Sequence, residues 1–403
     1  MAASRSVIIS GAGIGGLAAA LTLARAGFRS VVLEQAPLLE EAGAGIQLSP
    51  NATRILIGLG LADALRPYVV SPEAVRITSA RSGRALATVP LGANAELQYG
   101  APYWAIHRAD LQSALLGAAR ADPDVVLRLG IRVEDQAVHR HGVTVAARRG
   151  TASVEERGSA LIAAEGLWSA TRARLGHAER PAFQDRTAWR ALVPAQDVPA
   201  ALRAPVVHLW LGRHAHLVHY PVRSGALVNI VAIVHDDWSG QGWSEPGDRA
   251  ELLEHFPRLF WCEAARALIA LPQAWQKWAL FDLAPLPHWG RGPVTLLGDA
   301  AHPMLPFLAQ GAATAIEDAA VLADCLAQAD SPADALRTYE GLRRGRTARV
   351  QRAARGNSVR YHATGLAALA RNAVLRAAGG ARLRAHYDWL YDWRAPELPP
   401  RRM

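Results

Sequence analysis

Ser6-Val7-Ile8-Ile9-Ser10-Gly11-Ala12-Gly13-Ile14-Gly15-Gly16-Leu17 is the stretch that decides the fold. A short β-branched run enters a glycine cluster. The alanine- and leucine-rich segment Leu17–Ala26 follows, and Gly27 stands where a helix stop belongs. Val31–Leu33 reads as a second strand, ending at Glu34. Such a β-α-β unit predicts a parallel sheet. The spacing G-x-G-x-x-G is met by Gly11, Gly13 and Gly16, with Gly15 inside it. Gly11 allows a tight turn, Gly13 lets backbone approach a pyrophosphate, and Gly16 lets helix and strand pack closely. The helix N-terminus then faces phosphate charge. Glu34 can accept hydrogen bonds from ribose hydroxyls, and an acid there rather than an arginine favours FAD or NAD over NADP.

Working outward, the chain has 403 residues, more than one core usually serves, so two closely packed domains are expected. Its 51% hydrophobic and 20% charged content excludes a disordered chain. The two cysteines, Cys262 and Cys325, cannot build a disulfide framework or a zinc site, and no metal-ligand spacing occurs. Glycines interrupt the charge-free stretch Ser6–Ala24, which argues against a membrane span, and no basic n-region opens the chain. A cytoplasmic protein is the expectation. The net charge of +9 raises nucleic acid as a partner. However, Arg343, Arg344, Arg346, Arg349, Arg352 and Arg355 supply most of the excess on one helical pattern, without interleaved aromatics. That pattern predicts a solvated basic face that could at most steer small anions, and no nucleic-acid partner.

The first half alternates strand and helix patterns, with later strands at Val143–Ala147 and Ala160–Ala164. Val75–Thr78 and Ala85–Val89 flank Arg81-Ser82-Gly83-Arg84 as a hairpin. From Thr187 to Val234 helices vanish and strands recur, and eight of the 12 tryptophans lie between Trp189 and Trp289. Strand Val294–Leu297 returns to the first pattern, a helix is expected from about Ala312 to Ala327, and the remainder is mostly helical with a break at Gly379-Gly380. The expected architecture is α/β: a Rossmann-like dinucleotide-binding domain over 1–72, 96–180 and 280–360. An inserted, mainly antiparallel β-sheet substrate domain covers 73–95 and 181–279, and C-terminal helices cover 361–403.

A second signature is Val294-Thr295-Leu296-Leu297-Gly298-Asp299-Ala300-Ala301-His302-Pro303, followed by Ala309-Gln310-Gly311-Ala312-Ala313 at a helix start. A carboxylate at a strand end can hold a sugar or ribityl hydroxyl, and helix-start N–H groups can face an electron-rich ring oxygen. Together with Ala164-Glu165-Gly166-Leu167-Trp168-Ser169-Ala170-Thr171-Arg172, these segments resemble the single-component flavoprotein aromatic hydroxylases, the para-hydroxybenzoate hydroxylase fold family. Gly43-Ala44-Gly45-Ile46-Gln47-Leu48, His107-Arg108-Ala109-Asp110-Leu111 and Trp389-Leu390-Tyr391-Asp392-Trp393 resemble the branch containing salicylate and 3-hydroxybenzoate hydroxylases.

The resemblance implies FAD as cofactor, held by Gly11, Gly13, Gly15, Gly16, Glu34 and Gln35 at its ADP half. Arg108 and Asp299 would contact the ribityl-pyrophosphate part, Gln47 the ribityl chain or ring, and Gly311 and Ala312 the isoalloxazine. It departs from the family at Glu165, where that motif normally has aspartate; the alternative role for Glu165 is to cap the following helix. For the chemistry, His216 and Tyr220 share one face of a strand because four is an even step. Tyr220 could orient a phenolic substrate and His216, titrating near neutrality, could take its proton. His208 and Trp210 on a neighbouring strand are further candidates for the pocket lining, with core packing the preferred reading of Trp210. By the resemblance, Gln310 would orient a substrate oxygen. The implied reaction is hydroxylation of a small phenolic aromatic acid by way of a flavin C4a-hydroperoxide, with NADH or NADPH and O₂ as partners, in a monomer or homodimer. The alternatives are a hydroxylated N-heterocycle such as 6-hydroxynicotinate as substrate, or a plain NAD-dependent dehydrogenase built on the Gly11–Glu34 unit alone.

Overall fold

The computed structural model describes residues 6–39, 44–240 and 242–396. Gly43, quoted above, lies outside them. The opening stretch folds as read: strand Ser6–Ser10, helix Ile14–Arg25 and strand Arg29–Glu34. Strand Ser6–Ser10 is the centre of a six-stranded sheet, parallel to Arg29–Glu34 on one side and to Ala160–Ala163 on the other. Val125–Leu129 and Val294–Leu296 extend it in parallel, and Gly290–Arg291 adds a short antiparallel edge. Helices Ile14–Arg25, Arg108–Ala121 and Gly311–Gln328 bury their apolar sides against this sheet, as a parallel sheet needs. A three-stranded meander, Arg132–His139, Gly142–Arg149 and Ala152–Gly158, covers its other face. The sequence showed only the middle strand of that meander, because the flanking strands carry charges on their exposed positions.

The second sheet has eight strands, in the order Ser244–Gly247, Trp275–Asp282, Ala182–Pro194, Leu227–His235, Ala215–Val222, Val206–Leu211, Ala74–Ser79, Ala85–Pro90. It is antiparallel except where Val206–Leu211 runs parallel to Ala74–Ser79, which is how the early hairpin joins it. Its two faces differ. One carries Trp189, Trp210, Leu217, Ile230 and Ala232 and packs under helices Arg249–Glu254 and Glu263–Ala270. The other carries Ala188, Ile233 and Leu280 and meets Leu305 and Phe307 of the loop leaving the parallel sheet. A functional cleft between the sheets must therefore be lined from this second face. The long helix Pro332–Tyr361 spans the back of helix Gly311–Gln328 and reaches the same region.

Candidate active site

The glycine loop has the shape its spacing predicts. Gly11 has φ +103°, and a Cβ there would lie 2.4 Å from the Ala164 carbonyl oxygen. A Cβ on Gly16 would lie 2.0 Å from the Gly11 oxygen. Both positions need glycine for close packing. Gly13 differs, because nothing lies within 4 Å of its would-be Cβ. It faces open space at the N-terminus of helix Ile14–Arg25, which has no side-chain cap. Gly15 serves packing, since its added Cβ would meet Leu297 of the second signature and Ala315 of helix Gly311–Gln328. Gln112, which the sequence did not single out, donates to the Ala12 carbonyl from beneath.

Glu34 accepts 2.8 Å bonds from the backbone N–H groups of Ala12 and Ala36. A carboxylate has about four lone-pair sites, so capacity remains for ribose hydroxyls. Gln35 beside it is exposed. A cavity of about 520 Å³ opens nearby, lined by Pro37, Leu127, Leu129, Gly130 and Ile131 together with Arg128 and Arg149. It touches neither the glycine loop nor the second sheet, so it is not where a ring would react.

At the other end of the cleft, Asp299 follows Gly298, whose φ is +62°. Its Oδ1 lies 3.9 Å from the Cβ position at Gly311, the first residue of helix Gly311–Gln328. That helix too has no side-chain cap. Asp299 is open to solvent on one side, yet the protein crowding around it pushes its carboxyl above the usual range, against the pull of His302 and Arg108. Open space at Gly13, two uncapped helix N-termini and an acid beside the second are what a flavin dinucleotide requires. The residues present fit FAD.

Glu165 resolves as a cap. Its carboxylate accepts from Ser10 Oγ (2.8 Å), Ser169 Oγ (2.7 Å), Thr171 N (2.9 Å) and Thr171 Oγ1 (2.8 Å). Its four bonds tie helix Ala170–Arg174 to the central strand. The extra methylene is used up in that reach.

On the second sheet, His216 and Tyr220 do share the face toward the cleft. They do not touch each other: four strand positions separate their Cα atoms by about 13 Å. Each has its own partners. Tyr220 is buried against Gly45, where a Cβ would lie 2.8 Å from its ring, and it is within bonding reach of Gln47. Gln47 Oε1 accepts from the Tyr103 hydroxyl at 2.8 Å. Burial raises the Tyr220 phenol well above its ordinary value, against the opposing effects of Arg190 and Gln47. It therefore stays protonated, and its hydroxyl hydrogen is free to be donated in a hydrogen bond.

His216 lies among Phe307 and Tyr361, with ring centroids 5.3 Å away in each case, and its Nδ1 is 2.8 Å from His362 Nε2. Burial drives its pKa down to about 3. A histidine titrating near neutrality was expected here. The structure gives a neutral imidazole instead, because apolar surroundings penalise its cation.

Three further expectations change. His208 and Trp210 lie on the opposite face of the sheet, where His208 stacks on His219 with centroids 4.3 Å apart and Trp210 Nε1 donates to His219 Nδ1. Both are outside the cleft, so His208 does not line it and Trp210 packs in the core as preferred. The Gln310 amide is engaged within the protein: Nε2 donates to Ser49 Oγ at 2.8 Å and Oε1 accepts from Asn51 Nδ2 at 3.2 Å. None of its polar atoms reaches His216 or Tyr220. Only half of the arginine run is a solvated face: Arg344, Arg349 and Arg352 are exposed, and the other three are paired. Arg343 bridges Glu317 (2.6 Å) and Asp318 (2.7 Å), Arg346 also binds Glu317 (2.6 Å), and Arg355 binds Asp282 (2.5 Å). Asp318 in turn accepts from His302 Nε2 at 2.5 Å and from Gly298 N at 3.1 Å.

Sequence reasoning missed Tyr103, Arg190, Tyr361 and His362. Arg190 shares a cross-strand row with Val218, between the His216 and Tyr220 rows. Burial and the neighbouring Arg108 lower its pKa to about 10. No motif flags any of the four, because each is brought in by sheet register or by the far end of a long helix.

An oxidoreductase that lays a flavin dinucleotide across the tips of a parallel sheet, with a second sheet closing over the ring, is the class these features define. The chain matches the family model described as "FAD binding domain" over residues 4–354. It is 38% identical over 389 residues to 3-hydroxybenzoate 6-hydroxylase 1 of Aquipseudomonas alcaligenes, covering 96% of each chain. Among solved structures, a salicylate hydroxylase substrate complex aligns with a TM-score of 0.81 at 27% identity, covering 98% of this chain and 96% of that one. Klebsiella pneumoniae HpxO complexed with FAD and uric acid aligns with a TM-score of 0.83 at 28% identity, covering 94% and 95%. The protein belongs to the FAD-dependent aromatic hydroxylase family and is an FAD monooxygenase of the hydroxybenzoate hydroxylase group. Its family uses NAD(P)H, O₂ and aromatic substrates.

Proposed function

We propose that the protein hydroxylates a small phenolic aromatic acid of the 3-hydroxybenzoate type, held between His216 and Tyr220. The observation that carries this is their placement: two neutral polar side chains about 13 Å apart at the Cα atoms, on one sheet face, with apolar walls from Phe307 and Tyr361 at the His216 end. A single substituted benzene ring spans such a gap and can engage both ends. The identity to a 3-hydroxybenzoate 6-hydroxylase supports the same substrate class.

Bound FAD, reduced by NAD(P)H, supplies the redox chemistry with O₂. The chain's residues do the rest. Gly13 and the helix start behind it would receive the pyrophosphate, Glu34 the ribose, and Asp299 with Arg108 the ribityl part. The N–H groups at Gly311 and Ala312 would serve the ring. Tyr220, itself tied to Gln47, donates to a substrate oxygen. Hydrogen bonds donated to an anionic oxygen favour that form, so a donor here activates a phenol by stabilising its phenolate. Phe307 and Tyr361 exclude water from the reacting carbon.

The test is direct. The purified flavoprotein is given 3-hydroxybenzoate, salicylate and 6-hydroxynicotinate with NADH, and products are identified by mass spectrometry. A dihydroxybenzoate formed from 3-hydroxybenzoate is expected. NADH consumption that yields only H₂O₂ with every phenolic acid counts against the reading.

A further inference from the structure

We propose that Arg186 and His362 are positioning residues that fix His216 as a hydrogen-bond donor to the substrate pocket, making that end of the pocket selective for an anionic oxygen. This rests on the substrate pocket proposed above. The argument follows the protons. Arg186 Nε carries a hydrogen and lies 3.3 Å from His362 Nδ1. A guanidinium only donates, so His362 Nδ1 must accept. A neutral imidazole has one N–H, which therefore sits on His362 Nε2. That atom is 2.8 Å from His216 Nδ1 and donates to it. His216 Nδ1 is then an acceptor, and its own proton must be on Nε2.

Both rings are neutral, as the chain of donors requires. Burial takes His362 down to about 2 and His216 to about 3, each lowered further by Arg186, and His362 also by His216, His214 and His235. Among the described residues, no protein group bonds His216 Nε2. An N–H with no protein partner, beside Phe307 and Tyr361, selects a ligand that offers an acceptor there. A carboxylate or phenolate forms the stronger, charge-assisted bond. With the opposite tautomer, His216 would present a lone pair and repel such a group.

Two measurements test this. The first needs no substrate. In the FAD-loaded enzyme labelled with ¹⁵N-histidine, the His216 signals, assigned with a His216→Ala variant, should show the proton on Nε2. His362→Leu should allow the other tautomer to appear. A wild-type proton on Nδ1 overturns the proposal even if the substrate class is right. The second uses the flavin absorbance change to compare binding of 3-hydroxybenzoate and its neutral analogue 3-hydroxybenzyl alcohol. In His362→Leu the Kd for the acid should rise roughly tenfold while that for the alcohol changes little. His362→Gln keeps an acceptor for Arg186 and a donor for His216, so it should restore most of the preference. Equal weakening of both ligands, or no rescue by glutamine, would mean that His362 only packs, and would overturn the proposal. Should neither ligand bind, the tautomer measurement still decides it, and only the substrate reading fails.

Discussion

Glycines 13 and 16 make opposite demands on the same loop. Gly13 has φ −68° and open space before its Cβ, so Gly13→Ala folds normally. Its methyl enters the space a pyrophosphate approaches, and FAD affinity should fall at least about tenfold, about 1.4 kcal/mol, in a flavin titration. Gly16→Ala places a methyl 2.0 Å from the Gly11 oxygen. That is overpacking against backbone, and it should cost about 3 kcal/mol or more in denaturant unfolding, whether or not flavin is present. Two variants separated by three residues thus divide ligand contact from packing. The roles of these glycines were legible in the sequence because the turn geometry fixes residue type and spacing. Gly45 was quoted only as part of a motif, and its need for close approach to Tyr220 depends on a strand 175 positions away. His362 was illegible for the same reason: its partner His216 lies across the cleft, and no local pattern records such a pairing.

At the scale of elements, helix Gly311–Gln328 is the part the sequence placed well and explained poorly. Its start and end were visible, but Glu317 and Asp318 lie fully buried on it, which local pattern does not announce. They are tolerable because Arg343 and Arg346 on the long helix neutralise them. Burial raises the Asp318 carboxyl, but His302 and Arg343 outweigh it and hold it below its ordinary value. Removing one partner leaves a buried charge, so Arg343→Met should cost about 3–5 kcal/mol of stability, measured by urea unfolding. The same network reaches the site, because Glu317 Oε1 accepts from Asn51 Nδ2 at 2.6 Å and Asn51 in turn holds Gln310. The end of the long helix carries a pH signature. The folded pKa of His362 is depressed far below the ordinary 6.5, so the unfolded chain binds more protons as pH falls below 6.5. Stability should therefore drop between pH 7.5 and 5, with about 2 kcal/mol of the loss at pH 5 arising from His362. His362→Gln removes that group, and its unfolding free energy should fall correspondingly less over the same interval.

Across the whole molecule, half of the arginine run that carries most of the charge excess is internal wiring, while Arg344, Arg349 and Arg352 stay exposed. Arg343, Arg346 and Arg355 link the long helix to the flavin helix and to the end of strand Trp275–Asp282. They bind the two sheets into one body, and no helix among the described residues is long and apolar enough to cross a membrane. FAD is the remaining tie. Its proposed contacts run from Gly13 and Glu34 to Gly311 on the dinucleotide-binding half and include Gln47, which meets Tyr220 of the second sheet, so its binding energy acts on one half directly and on the other through Gln47. Binding to the folded state alone stabilises by RT ln(1 + [L]/Kd), about 2.7 kcal/mol at one hundred times Kd. An unfolding entropy of roughly 2.1 cal/mol/K per residue turns that into a midpoint shift of roughly 3 °C for a chain of this length. Deflavinated protein should therefore melt lower by about this amount and recover on adding FAD. Gly13→Ala should start at the apoprotein midpoint and recover far less at the same FAD concentration. Equal recovery in both proteins would mean that the flavin does not use the glycine loop. A shift confined to one of two resolved transitions would mean that it holds one sheet and not both.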